Sequence, residues 1–127
     1  MTPSILLLLV EDEALIRMHL EEELGEAGFE LVVATSGQQA MDEIQADASR
    51  FCAVVTDIRL GQGPDGWEVA RRARESVPEM PMVYVSGDSA HHWTVKGVPN
   101  SVMVPKPFVA AQIITAVSTL LNEAGPR

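Results

Sequence analysis

The sequence predicts an α/β fold, a five-stranded parallel sheet doubly wound by helices in three layers. Five runs of strand length, Ile5–Val10, Phe29–Ala34, Cys52–Asp57, Pro81–Ser86 and Ser101–Val104, are mostly apolar. Continuous apolar runs of this kind suit strands covered on both faces. Segments of helical period lie between them, so strand and helix alternate along the chain. Four of the runs also stop at a polar group: Glu11-Asp12-Glu13, Asp57, Ser86 and Lys106. Those groups would gather at the carboxyl edge of the sheet, where open α/β folds bind their ligands.

Each element has its own signal. After the first strand, Glu13–Ala27 sets Ile16, Leu20, Leu24 and Ala27 on one helical face, closed by Gly28, with Asp12 as the candidate cap. Ser36 and Gln39 form a Ser-x-x-Gln capping box for a helix running to about Ala46. Asp65-Gly66 opens a third helix, Trp67–Ser76, in which Trp67, Val69, Ala70 and Ala73 pack and Arg71, Arg72 and Arg74 face water; Pro78 ends it. Ser89–Lys96 is polar and poorly periodic, a weak helical signal. The last helix, Val109–Leu121, carries a core stripe at Ile113, Val117 and Leu120 or Leu121.

Length and charge narrow the function. A chain of 127 residues has single-domain size. Nine basic against eighteen acidic residues give a net charge of −9, which argues against nucleic acid or an anionic membrane as partner. The apolar runs are far short of the roughly 20 residues a bilayer needs. Ile5–Val10 lacks the preceding basic region of a secretion signal and runs straight into acids. The single Cys52 excludes an internal disulfide, fits a reducing, cytoplasmic setting, and reads as a buried, inert thiol. The adjacent His91 and His92 would diverge on a helix and read as solvated rather than as a metal pair.

An acid pair after strand one, a lone aspartate after strand three, Ser-Gly after strand four and Lys-Pro-Phe after strand five together resemble the receiver domain of bacterial two-component response regulators, of the single-domain, CheY-like type. The resemblance covers essentially the whole chain, as one receiver domain over residues 1–127 without an output domain. It implies the flavodoxin-like strand order 2-1-3-4-5, phosphorylation of Asp57, and a bound magnesium ion. Asp12 and Asp57 would ligate the ion directly, Glu11 through water, and the backbone carbonyl of Arg59 would complete the protein ligands. Lys106 and Ser86 would contact the phosphoryl oxygens, and a cis Lys106–Pro107 bond is implied. Such a protein is not an enzyme acting on a separate substrate; it promotes its own magnesium-dependent phosphorylation and dephosphorylation. The implied partners are a sensor histidine kinase or histidine phosphotransfer protein and a downstream protein target, with the receiver a monomer or weak homodimer.

The chemistry is consistent on its own terms. Bringing a phosphoryl group against a carboxylate nucleophile requires positioning and charge neutralisation above all. Oxygen donors suit magnesium, Lys106 supplies a point charge, and Gly87 leaves room beside the acceptor. Taken singly, each motif has a plainer reading: a solvated helix start, a surface lysine, a turn. Their conjunction at one edge does not.

Some positions depart from the family pattern. Met103 stands three residues before Lys106, where an aromatic switch residue is frequent. The loop RLGQGPDG is one residue longer, with Gly61 where proline is common, and Arg59 occupies a variable position that can shield or admit water. With the aromatic gone, Ser89–Asn100 is the expected readout segment. The Met-Thr-Pro-Ser start fits a stand-alone protein. A receiver excised from a hybrid histidine kinase and a degenerate receiver acting as a phosphorylation-independent interaction module remain as alternatives. An aspartate phosphatase would carry a second acid where Arg59 stands, and a flavodoxin a Ser/Thr/Gly loop where the first acids stand.

Overall fold

The computed structural model describes residues 4–125, so Met1–Pro3, and with them most of the Met-Thr-Pro-Ser start, lie outside the described residues. The elements alternate as β1 (Ile5–Val10), α1 (Ala14–Glu26), β2 (Phe29–Ala34), α2 (Gly37–Asp47), β3 (Ala53–Asp57), α3 (Gly66–Ser76), β4 (Met82–Ser86), α4 (Trp93–Lys96), β5 (Ser101–Pro105) and α5 (Ala110–Ala124). Short 3-10 turns at Ala48–Arg50 and Ala90–His92 precede β3 and α4. The five strands are parallel in the order β2-β1-β3-β4-β5, the flavodoxin-like arrangement.

Strand periodicity divides the core between the two faces. Leu8, Val10, Val54, Met82 and Tyr84 face the layer containing Ile44 of α2 and Trp67, Val69, Ala70 and Ala73 of α3. Their neighbours Leu7, Leu9, Ala53, Val55, Val83 and Val85 face Leu20 and Leu24 of α1 and Ile113, Val117 and Leu120 of α5. Because both faces are covered, the central strands carry apolar residues at odd and even positions alike. The chain leaves β1 toward β2 on one side and toward β3 on the other, by way of β2 and α2. That reversal opens the crevice between the carboxyl ends of β1 and β3.

Several local expectations are corrected. Cys52 is half-buried, since β3 begins one residue later at Ala53. Glu13, not Asp12, is the N-cap of α1, and no side chain caps that helix. Ala27 lies beyond α1 and is exposed. Ser36 accepts from Gln39 N as a cap should, but the Gln39 side chain closes on the backbone and hydroxyl of Thr35, one residue earlier than a capping box requires. Arg74 does not simply face water: its guanidinium donates to the carbonyls of Met80, Pro99 and Asn100. Burial lowers its pKa from the ordinary arginine value. His91 and His92 are exposed, as expected. Among the described residues, no helix is long and apolar enough to cross a membrane.

Candidate functional site

The crevice between β1 and β3 collects the acids. Glu11 directly follows β1 and is 2% exposed, held by its backbone N–H on the Ala34 carbonyl. The Arg17 guanidinium of α1 donates to the Glu11 carbonyl at 3.1 Å. Asp12 comes next and is exposed. Asp57 ends β3, is 7% exposed, and receives the Ile58 N–H on Oδ1 at 2.7 Å. One carboxylate oxygen from each of Glu11, Asp12 and Asp57 can lie within 4.8 Å of the others.

Lys106 follows β5, with its backbone N–H on the Ser86 carbonyl at 2.7 Å and its peptide to Pro107 cis. From there its Nζ reaches Asp57 Oδ2 at 3.0 Å and Glu11 Oε1 at 3.7 Å. One ammonium therefore faces two nearly buried carboxylates. Burial, and after it the neighbouring Asp57 carboxylate, pushes the Glu11 carboxyl up to about 8, against the pull of Lys106. Burial acts to lower the Lys106 ammonium, but its hydrogen bond and charge contact with Asp57, with Glu11 beyond, outweigh that and raise it. Glu11 Oε1 remains buried without a hydrogen-bond partner. Three clustered carboxyl groups face a single ammonium here, and their donor set, made wholly of oxygens, fits a hard divalent ion such as magnesium.

Ser86 ends β4 and is 2% exposed. Its Oγ accepts the N–H of Ser89 at 2.8 Å and of Asp88 at 3.3 Å. A hydroxyl has one proton and two acceptor positions. With both acceptor positions used by the turn, the Ser86 proton is left to donate elsewhere. Arg59 is exposed and turns its side chain to Asp88, at 2.9 Å.

The loop after β3 is shaped by glycine. Gly61 and Gly63 have φ of 73° and 90°, the left-handed region that proline cannot enter. The glycine at 61 therefore reflects a different path of the longer loop. The loop closes where Gly66 N–H donates to the Ile58 carbonyl, and a Cβ on Gly66 would fall 2.2 Å from the Asp57 carbonyl oxygen.

The structure thus brings Glu11, Asp12, Asp57 and Lys106 together, with Ser86 at the end of the adjacent strand and the Arg59 side chain turned outward. Sequence reasoning missed the Ile58 N–H, the Arg17 contact and the Arg59–Asp88 pair. The last had a signal: opposite charges stand two residues past the polar ends of neighbouring strands.

Comparison with known proteins agrees with this geometry. Residues 7–118 match the family model described as the response regulator receiver domain. A response regulator receiver protein of Anaeromyxobacter sp. is 36% identical over 91% of this chain and 45% of its own length. The response regulator MprA of Mycolicibacterium vanbaalenii is 28% identical over 94% of the chain and 52% of its own. The chain thus spans about half the length of these relatives. The crystal structure of a response regulator receiver protein from Sinorhizobium medicae superposes with a TM-score of 0.92 at 47% identity, covering 96% of this chain and 98% of that one. With its parallel five-stranded sheet and its acids at the β1/β3 crevice, the chain belongs to the response regulator receiver domain family, whose general function is to accept a phosphoryl group.

Proposed function

We propose that residues 1–127 act as one receiver unit that takes a phosphoryl group from a phosphohistidine onto Asp57 and signals through altered protein contacts. The observation that carries this reading is the convergence on Asp57: Lys106 Nζ at 3.0 Å from Oδ2, with the Glu11 and Asp12 carboxylates within 4.8 Å. An oxygen of Asp57 forms the bond to phosphorus as the N–P bond of the donor imidazole breaks, and the departing nitrogen keeps the electron pair. The Ile58 N–H and Lys106 orient the carboxylate before the encounter. Lys106 and the Ser86 proton then meet phosphoryl oxygens, in a site where fixed charges act strongly because Asp57 is nearly buried.

Glu11, Asp12 and Asp57, with the Arg59 carbonyl, are the residues that would hold magnesium. When bound it supplies the positive charge that neutralises the acids and the incoming oxygens. A protein phosphodonor is favoured by the surface beside Lys106. There Leu15, Ile16, His19, Pro107 and Phe108 line an apolar groove of about 520 Å3, and Leu15 is 82% exposed. A kinase or phosphotransfer protein delivering its histidine to Asp57 would cover it.

Mass spectrometry after incubation with acetyl phosphate and magnesium tests the reaction, with Asp57→Asn alongside. One labile phosphoryl adduct on the wild type and none on the variant is expected. No adduct, or one that survives Asp57→Asn, would leave an interaction module that works without phosphorylation of Asp57.

A further inference from the structure

Residues 87–100, between β4 and β5, are held at both ends by hydroxyls of a single strand. At the first end, Ser86 Oγ accepts the N–H groups of Asp88 and Ser89. At the other, the Tyr84 hydroxyl accepts the Val98 N–H at 3.1 Å. Tyr84 and Ser86 are alternate residues of β4, so both project from the same face of the sheet. The middle of the connection has little to hold it, because neither the Ala90–His92 turn nor α4 has a buried residue. A single helical turn is not stable by itself.

The two ends are unequally secured. Past Trp93, the indole Nε1–H donates to Ser101 Oγ at 2.9 Å, and the Ser101 hydroxyl donates to the Val98 carbonyl at 2.6 Å. Arg74 adds bonds from α3 to the Pro99 and Asn100 carbonyls. Gly97 packs so closely on Trp93 that a Cβ there would lie 2.4 Å from the indole. Before Trp93, the hydrogen bonds to β4 run through Ser86 Oγ, the one from Asp88 N long at 3.3 Å, and the other polar tie is the Arg59–Asp88 ion pair between two exposed side chains.

We propose that the two β4 hydroxyls divide this connection into a movable half, residues 87–92, governed by Ser86, and a fixed half, residues 93–101, pinned by Tyr84. This rests on the phosphoryl-acceptor reading of Asp57. When Ser86 turns its hydroxyl to a phosphoryl oxygen, Oγ shifts and the bonds from Asp88 and Ser89 loosen. The Tyr84–Val98 bond does not depend on that shift, so the displacement stops at Trp93. The surface a partner reads is then the 87–92 turn with Asp88, His91 and His92, and the Trp93 indole is its pivot. The device differs from an aromatic ring moving in β5, because Met103, the register partner of Tyr84, offers no ring. A fixed aromatic in β4 with a hydroxyl latch stands in its place.

Amide exchange by NMR on the full chain with magnesium decides this, adding beryllofluoride as the stand-in for the phosphoryl group. In the wild type, exchange at Asp88 and Ser89 is expected to quicken by about tenfold or more while Val98 stays within about twofold. The Trp93 indole resonance, assigned through Trp93→Phe, should stay in place. Tyr84→Phe keeps the ring against Trp67, 4.8 Å between centroids, and removes the latch alone. In that variant the beryllofluoride response should spread through Val98 and Trp93. A Val69→Ala variant, weakened at a buried α3 site, should keep the wild-type boundary. Wild-type changes that run through Val98 together with Ser89, or a Tyr84→Phe response identical to wild type, would overturn the proposal. Should Tyr84→Phe not fold, the wild-type boundary alone decides. No beryllofluoride response around Asp57 at all would instead overturn the acceptor reading, and the inference with it.

Discussion

Lys106 Nζ and Asp57 Oδ2, 49 residues apart in sequence, meet at 3.0 Å across the carboxyl ends of β3 and β5. The same ammonium stands 3.7 Å from Glu11, which is 2% exposed. Removing that cation leaves the nearly buried Asp57 carboxylate without compensation, beside a Glu11 carboxyl that burial and Asp57 already push up to about 8. Lys106→Met should therefore lower the stability of the metal-free protein by about 1–3 kcal/mol, measured by urea denaturation in EDTA. Magnesium should restore part of the loss, and phosphorylation by acetyl phosphate should remain slower by tenfold or so. Unchanged stability in EDTA would mean that the lysine does not neutralise this site.

Asp12 is exposed, and no side chain caps α1. Its carboxylate therefore has no local structural task and adds repulsion to Glu11 and Asp57, with which it clusters. Asp12→Asn should leave the metal-free melting temperature unchanged or slightly higher. It should weaken magnesium binding by about tenfold, or 1.4 kcal/mol, and shrink the magnesium-dependent thermal shift accordingly. A variant that melts lower without metal and keeps the full shift would show that Asp12 is a structural residue and not a ligand.

Gly66 lets α3 begin directly against Asp57. A Cβ at this position would meet the Asp57 carbonyl oxygen at 2.2 Å and Ile58 Cα at 2.8 Å, both backbone atoms that cannot turn aside. Gly66→Ala should cost about 2–3 kcal/mol by overpacking and should also slow phosphorylation, since relief of the clash moves the Asp57–Ile58 peptide. The two effects are read separately by denaturation and by adduct formation. Destabilisation with an unaltered rate would place the adjustment in α3 and not at Asp57.

The edge where the acids meet was legible because a polar residue ending an apolar strand interrupts the hydrophobic pattern. Glu11, Asp57, Ser86 and Lys106 each stand at such an interruption. Bonds to backbone carbonyls leave no such mark. Arg74 reads as one of three solvated helix arginines, yet its acceptors lie 6, 25 and 26 residues away, on loops whose path no local pattern specifies. Tyr84 reads as an apolar strand residue, and its hydroxyl finds a partner 14 residues on, the Val98 N–H. Cys52 was misplaced for a simpler reason: β3 starts one residue later than the apolar run, and an end residue keeps part of its solvent. Gly61 and Gly63 stood out as residues, but their positive φ depends on how the longer loop turns back to Gly66.

Tyr84 is the chain's one tyrosine, and its side chain is fully buried. Burial pushes its phenol above the ordinary 10.0, opposed in part by the Val98 N–H and by the charge of Arg74. The unfolded chain therefore loses this proton at a lower pH than the folded one. Between the two values the unfolded state binds fewer protons, and stability falls as pH rises. The Tyr84 contribution is fully present below pH 10 and is lost above it. Absorbance near 295 nm should follow the single phenolate, with a midpoint above the ordinary value in the folded protein. Urea midpoints taken on either side of pH 10 should fall more steeply for wild type than for Tyr84→Phe, which has no proton to lose there. The comparison removes the contribution of lysines, which both proteins share. An ordinary midpoint, or parallel alkaline slopes for the two proteins, would mean that the Tyr84 hydroxyl meets solvent and that the Val98 bond is not kept in solution.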